Sequence, residues 1–245
     1  MVFWILQGFH IQYGKTNYNR VADMNSPFKC DFHIHSKYSF DSFLSPKWIV
    51  KRSIACGFHA IAITDHNTIK GSKIAQSTEH GSLIIITGAE IATEYGDLTG
   101  LFLNDEVKSR FFGEVVDEIK GQGGLVVLPH PCRRKKNPPL NLLREVDLME
   151  GINGRTSDQK NRTAQDLAHT LKKPMIAGSD AHTVLEIGTV WTSIQSEGKL
   201  EDDELRKAIV SGNNLLFQKS NWPIQGFSQA YSTCIRQIRK RNPLS

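Results

Sequence analysis

Residues 31–41 read Asp31-Phe32-His33-Ile34-His35-Ser36-Lys37-Tyr38-Ser39-Phe40-Asp41. Cys30 to Ile34 has the pattern of a short strand. Phe32 and Ile34 alternate with Asp31, His33 and His35, and a repeat of two sets the three polar side chains on one face. Two imidazoles side by side, with a carboxylate close behind at Asp41, are poor core material. They suit a divalent ion, since imidazole nitrogen and carboxylate oxygen are both first-row metal ligands. A His-x-His pair by itself recurs on many surface strands. Its weight depends on what the other strand ends deliver.

The bulk properties leave room for such a site and narrow the rest. The chain has 245 residues, 39% hydrophobic and 22% charged, with a net charge of +5. That is an ordinary soluble globular composition, long enough for one large α/β domain or two small ones. The isoelectric point near 9.0 is compatible with phosphorylated or nucleic-acid substrates. Cys30, Cys56, Cys132 and Cys234 are widely spaced and form no CxxC pair. This implies free thiols in a reducing cytoplasm. No apolar run is long enough to span a bilayer, and Met1–Phe9 lacks the basic start and cleavage site of a signal peptide. Residues 1–27 are expected to be a peripheral extension and residues 28–220 the main domain. Residues 221–245, with Arg236, Arg239, Lys240 and Arg241, are expected to form a basic, exposed helical tail.

From Cys30 onward, strands and helices alternate. Ser45-Pro46 opens a helix that stops at Gly57. Ala60–Thr64 is an apolar strand, Thr68–His80 a helix, Leu83–Thr87 a strand and Leu98–Leu103 another. Val107–Lys120 is an amphipathic helix, Leu125–Leu128 a strand and Leu140–Arg144 a short helix. Asp147–Ile152 is a strand, Ser157–Leu171 a helix, Pro174–Ala177 a strand and Glu201–Ser211 a helix. Repeated strand–helix units with short connections imply parallel strands and right-handed crossovers. With about seven units, a closed or nearly closed barrel is the economical solution.

The positions of the polar residues carry the functional reading. Asp65-His66, Glu90, His130, Asn153, Asp180 and His182 each fall at or just past the end of an expected strand, as His33 and His35 do on the first. In a parallel barrel those ends open on one face, where sites are built. Taken singly, each has a plain structural role open to it: a helix cap, a turn or a rigid Pro-His-Pro corner. Taken together, they describe a metal-binding mouth. His10, His59, His80 and His169 lie off this pattern and receive no role.

Asp31-x-His33-x-His35, Thr64-Asp65-His66, Gly88-x-Glu90, Pro129-His130-Pro131 and Gly178-Ser179-Asp180-Ala181-His182, in this order, resemble the polymerase and histidinol phosphatase (PHP) family over about residues 30–190. The resemblance implies an α/β fold, a distorted (β/α)7 barrel of parallel strands, with a trinuclear metal site at their C-terminal ends. Carried over by motif, one ion falls to His33, His35, Glu90 and Asp180, with Glu90 bridging. A second falls to Glu90, His130 and Asn153, and a third to Asp41, His66 and His182. Many family members have histidine where Asn153 stands; an amide oxygen is the weaker ligand, so the second ion is expected to be held more loosely. Imidazole and carboxylate donors without thiolate suit Zn, Mn or Fe, in two to three copies.

Three divalent ions, offset by Asp41, Glu90, Asp180 and one hydroxide, leave about two positive charges, which matches a phosphate dianion. The resemblance therefore implies a phosphoesterase that hydrolyses a phosphate ester of a small metabolite or nucleotide by metal-activated hydroxide. His33, His35, Glu90, Asp180 and His182 would act through the ions. Arg133 and Arg134, which follow His130, and Arg155, two residues after Asn153, are candidates for phosphate binding. Two other readings stand beside it: a nuclease acting on single strands or oligonucleotide ends, favoured by the basic segments, and a non-catalytic metal-binding regulatory module. Neither a membrane nor an obligate protein partner is expected.

Overall fold

The computed structural model describes residues 27–133, 138–196, 200–219 and 222–241. The expected N-terminal extension, all but its last residue, lies outside them, as does Arg134.

The elements run β1 (Phe28–Ile34), α1 (Pro46–Ala55), β2 (Ala60–His66), α2 (Lys70–Gln76), β3 (Ile84–Thr93), β4 (Gly96–Leu101), α3 (Phe112–Gly121) and β5 (Leu125–Leu128). They continue with α4 (Leu140–Glu145), β6 (Leu148–Asn153), α5 (Asp158–Leu171), β7 (Met175–Gly178), β8 (Val190–Ile194), α6 (Asp202–Ser211), β9 (Asn214–Gln218) and α7 (Trp222–Arg241). One sheet takes all nine strands in the order β7-β6-β5-β4-β3-β2-β1-β8-β9. It curls into a nearly closed barrel. At the seam, Ile34 bridges Ala181 in parallel, and His35 N–H donates to Ala181 O at 2.9 Å. Farther down, Thr192 on β8 accepts from Ala177 N–H through Oγ1 at 2.8 Å and donates back to Ala177 O at 3.2 Å.

β1, β2, β3, β5, β6 and β7 point the same way. β4 is antiparallel to both its neighbours, and β8 is antiparallel to β1. The barrel is thus a parallel one with a reversed strand in the wall, not seven uniform β/α units. Phe28, Cys30, Phe32, Ala60, Ala62, Ile86, Leu101, Val127, Leu148, Ile176 and Ile194, drawn from successive strands, pack as one buried cluster that fills the base. A filled base leaves only the strand ends available for chemistry.

Two expected helices start or stop differently because distant carboxylates capture their backbone. Glu106 takes Thr68 Oγ1–H at 2.8 Å and Ile69 N–H at 3.0 Å, so α2 begins at Lys70. Glu118 takes the N–H groups of Lys108 and Ser109, and Glu94 takes that of Phe112, so α3 begins only at Phe112. The strict alternation expected through β1 also fails. The register against β2 shifts between Asp31 and Ile34. Phe32 joins the base cluster, whereas Ile34 packs with Ile49, Val50, Ile61 and Ile63. Such irregularities re-aim side chains next to sites. No helix among the described residues is long and apolar enough to cross a membrane.

Candidate metal centre

His33 and His35 leave the end of β1 with their Nε2 atoms 3.0 Å apart. Each ring is fixed from behind. Glu150 Oε1 lies 3.1 Å from His33 Nδ1, and Ser39 Oγ lies 2.9 Å from His35 Nδ1. A carboxylate behind Nδ1 keeps the proton there and leaves the Nε2 lone pair for the mouth. Two lone pairs facing each other at this distance require a cation between them or a proton on one.

Glu90, at the end of β3, lies in the middle of the cluster. Its Oε2 is 3.4 Å from His33 Nε2, 3.3 Å from His35 Nε2 and 3.5 Å from His66 Nδ1, and its Oε1 is 2.7 Å from His130 Nε2. Asp180, just past β7, sets Oδ1 3.3 Å from His35 Nε2 and 3.7 Å from His33 Nε2. Asp41, from the loop after β1, sets Oδ2 3.3 Å from His66 Nε2 and 3.1 Å from His182 Nε2. His182 Nδ1 donates to Asp180 O at 2.8 Å, again freeing Nε2. His130 and Asp180 have φ of +28° and +53°. Backbone in this region is costly for residues other than glycine and persists where the surroundings hold it.

Among the described residues, four sets of three donors converge: His33, His35 and Asp180; His33, Glu90 and His130; His35, His66 and Glu90; His35, Asp41 and His182. All except His66 are buried. Burial and charge set their protonation without a cation. Burial alone would lower His35, but hydrogen bonds to Asp180 and Glu90 outweigh it and push its pKa up to about 10. His33 is raised as well, against the pull of burial, by Asp180, Glu150 and Glu90. Burial works to raise Asp180 and Glu90, yet the His33 charge holds both far below the usual carboxylate range. Burial and the His35 charge lower His182 to about 4. The donor set fits divalent ions on a further count. Asp41 Oδ1 and His130 Nδ1 are buried and lack a hydrogen-bond partner. Orphaned buried donors and acceptors of this kind are rare without an ion or water to satisfy them.

The remaining expected residues are distributed as follows. Asn153 lies in the cluster, but its amide is fully engaged. Nδ2 donates to Glu150 Oε2 at 3.0 Å and Asp180 Oδ2 at 3.2 Å, while Oδ1 accepts from Arg155 N–H and Thr156 Oγ1–H at 3.0 Å each. Arg133 folds into the mouth, with Nη1 2.7 Å from Asp180 Oδ2 and 3.3 Å from Asn153 Oδ1. Arg155 is elsewhere: Nε is 3.5 Å from Glu186 Oε1, and Nη2 donates to Ser232 Oγ on α7 at 3.1 Å. Asp65 accepts Ser36 N–H and Ser36 Oγ–H, both at 2.6 Å, so it fastens the loop after β1. Asp31 accepts Ser179 N–H at 2.9 Å and His33 N–H at 3.2 Å, and so belongs to the seam rather than to the donor cluster.

Three participants escaped the sequence reading. Glu150 also accepts His130 N–H, at 2.7 Å, so one carboxylate positions two of the histidines. A lone acid inside the apolar segment Leu148-Met149-Glu150-Gly151-Ile152 was its only signal. Ser39 orients His35. Arg236, from α7, places Nη2 2.7 Å from Asp41 Oδ2. It comes from a stretch read only as a basic tail.

Known proteins resemble the chain in family and in fold. The family model described as PHP domain matches residues 31–185, and one described as PHP-associated matches residues 158–214. An uncharacterized protein of Methanocaldococcus jannaschii is 32% identical over 188 residues, 72% of this chain and 75% of its own. A 5'-3' exoribonuclease of Haemophilus influenzae is 40% identical over 68 residues, 27% of this chain and 24% of its own. Among solved structures, a two-domain protein of Bacteroides vulgatus described as containing a predicted PHP-like metal-dependent phosphoesterase superposes with a TM-score of 0.68. It is 20% identical, and the match covers 84% of this chain and 70% of that one.

Proposed function

The chain belongs to the PHP domain family, and from that premise we propose that it is a metal-dependent phosphoesterase that hydrolyses a phosphate ester of a small metabolite or nucleotide. The observation that carries this reading is the convergence of four donor triplets around Glu90, Asp180 and Asp41 at one end of the barrel.

In this reading His33, His35, Glu90 and Asp180 hold one ion. Glu90 and His130, beside Asn153, hold a second, and Asp41, His66 and His182 hold a third. Bound divalent ions supply Lewis acidity and a lowered pKa for water. The chain's own side chains prepare the rest. Glu150, Ser39 and the Asp180 carbonyl keep the Nδ1 protons of His33, His35 and His182, so the Nε2 atoms face the mouth as bases. The buried walls exclude bulk water, which strengthens every charge interaction inside. Arg133 is the phosphate contact we assign, since its guanidinium already pairs with a carboxylate at the mouth. Arg155 instead ties Glu186 to α7.

A second reading, a nuclease acting on single strands or oligonucleotide ends, draws on the partial similarity to the exoribonuclease. It also draws on aromatic side chains in the loop after β1. Phe40 and Phe43 are about half exposed, and Phe40 stacks on His66 at 4.5 Å. Aromatic surface beside basic groups is how bases of single strands are held.

A panel of phosphate esters and short oligonucleotides, run with added Mn²⁺ alongside elemental analysis, separates these readings. Turnover of monoesters that His33→Ala with His35→Ala abolishes supports the phosphoesterase. Cleavage confined to oligonucleotides and falling steeply with salt supports the nuclease. Full metal loading without turnover of either contradicts both.

A further inference from the structure

Helix α7 is fastened to the barrel, and its fastened side leads to the metal centre. Ser232 and Ile235 are buried, Arg155 donates to Ser232 Oγ, and Gln229 Nε2 donates to Arg155 O at 3.3 Å. Ser232, Ile235 and Arg236 stand three and four positions apart, which puts them on one helix face. Arg236 is half exposed at its side chain, yet its Nη2 reaches the fully buried Asp41 at 2.7 Å. Its guanidinium also lies 5.2 Å from the centroid of the Phe40 ring, which stacks on His66. The cation therefore sits where the acidic floor of the site meets solvent. Arg133 reaches the same cluster from the Asp180 side.

Resting on the phosphoesterase reading, we propose that Arg236 is a substrate-positioning residue, which binds the phosphate group of the ester at the Asp41 side of the mouth while Arg133 binds it from the Asp180 side. An ion held by Asp41, His66 and His182 would take the oxygen Arg236 now uses. Among the described residues the guanidinium meets only Asp41 and Phe40. Its remaining N–H groups form a planar fork suited to two phosphate oxygens. Because α7 is fixed through Ser232 and Ile235, the arm is delivered without ordering a loop.

The test uses the full chain loaded with Mn²⁺ and inorganic phosphate as the probe, with calorimetry read beside turnover of a chromogenic aryl phosphate. For Arg236→Gln we expect bound metal and melting temperature to match the wild type. Phosphate affinity should fall about tenfold or more and KM should rise in step, with kcat held within about threefold. Arg236→Lys should recover part of the affinity. Phosphate affinity unchanged in Arg236→Gln, with an active wild type, overturns the inference alone. Loss of bound metal in Arg236→Gln marks a structural role and also overturns it. A wild type that holds metal but neither binds phosphate nor hydrolyses any ester overturns the phosphoesterase reading and this inference with it.

Discussion

Glu150 Oε1 lies 3.1 Å from His33 Nδ1, although the two residues are 117 positions apart in the chain. β6 and β1 are not paired with each other; they flank β7, the strand that lies between them where the barrel closes. The pair fixes which nitrogen of His33 is offered as a ligand, and Glu150 Oε2 meanwhile holds the His130 backbone.

Replacing Glu150 by glutamine should keep the fold while loosening His33. We expect metal affinity to fall on the order of 10–100-fold, the usual effect of losing a carboxylate behind a ligating histidine. Competition titration against a chelating dye reads this directly.

Gly178 has no room for a side chain. A Cβ there would collide with His33 Cβ and lie 2.6 Å from Glu150 Oε1 and 3.1 Å from His33 N. These atoms are buried and mutually bonded, so they cannot yield. Gly178→Ala should cost roughly 1–3 kcal/mol in urea unfolding and should strip metal as well.

Asp31 closes the barrel where β1 meets the segment after β7. Asp31→Ala removes the acceptor of two buried N–H groups, those of His33 and Ser179, and each orphaned group costs about 1–3 kcal/mol. Faster amide exchange at Ser179 and His33, with a lower unfolding midpoint, is the expected outcome.

Protons and ions should compete for this site. With His33 raised and His35 at about 10, the facing imidazole pair holds a proton between its Nε2 atoms at neutral pH in metal-free protein. Ion uptake must release it. Calorimetry in two buffers of different ionisation enthalpy should show proton release and an affinity that climbs with pH. Stability follows the same linkage. A raised imidazole contributes fully below its ordinary 6.5 and loses that contribution as pH rises through about 10. Glu90 and Asp180, held low, contribute above their ordinary 4.5 and 3.8 and lose it on acidification through their depressed folded values. Metal-free protein should therefore melt highest near pH 5–6 and progressively lower toward pH 10. Metal-loaded protein should lose less over the alkaline range.

The barrel and the donor residues were legible because each ligand type stands at the end of an apolar strand, and that pattern is local. His33, His35, His66, Glu90, His130, Asp180 and His182 all reach one mouth. β8 and β9 were not anticipated: Val190–Ile194 interleaves Trp, Thr and Ser, and Asn214–Gln218 is bounded by amides, so neither stands out as an apolar run. The shortened α2 and α3 depend on carboxylates brought from 37 and about 10 residues away. Glu150 and Arg236 act through partners that only the closed barrel brings near. Arg155 stands two residues after Asn153, a spacing that suggests the mouth, whereas its guanidinium turns to Glu186 and Ser232.

Anomalous diffraction from a crystal of the full chain grown with Mn²⁺ tests the central claim most directly. We expect two to three anomalous peaks inside the mouth, one bounded by His33, His35 and Asp180, with Glu90 touching more than one. A crystal without peaks there, or with manganese bound only at other surface carboxylates, would contradict it.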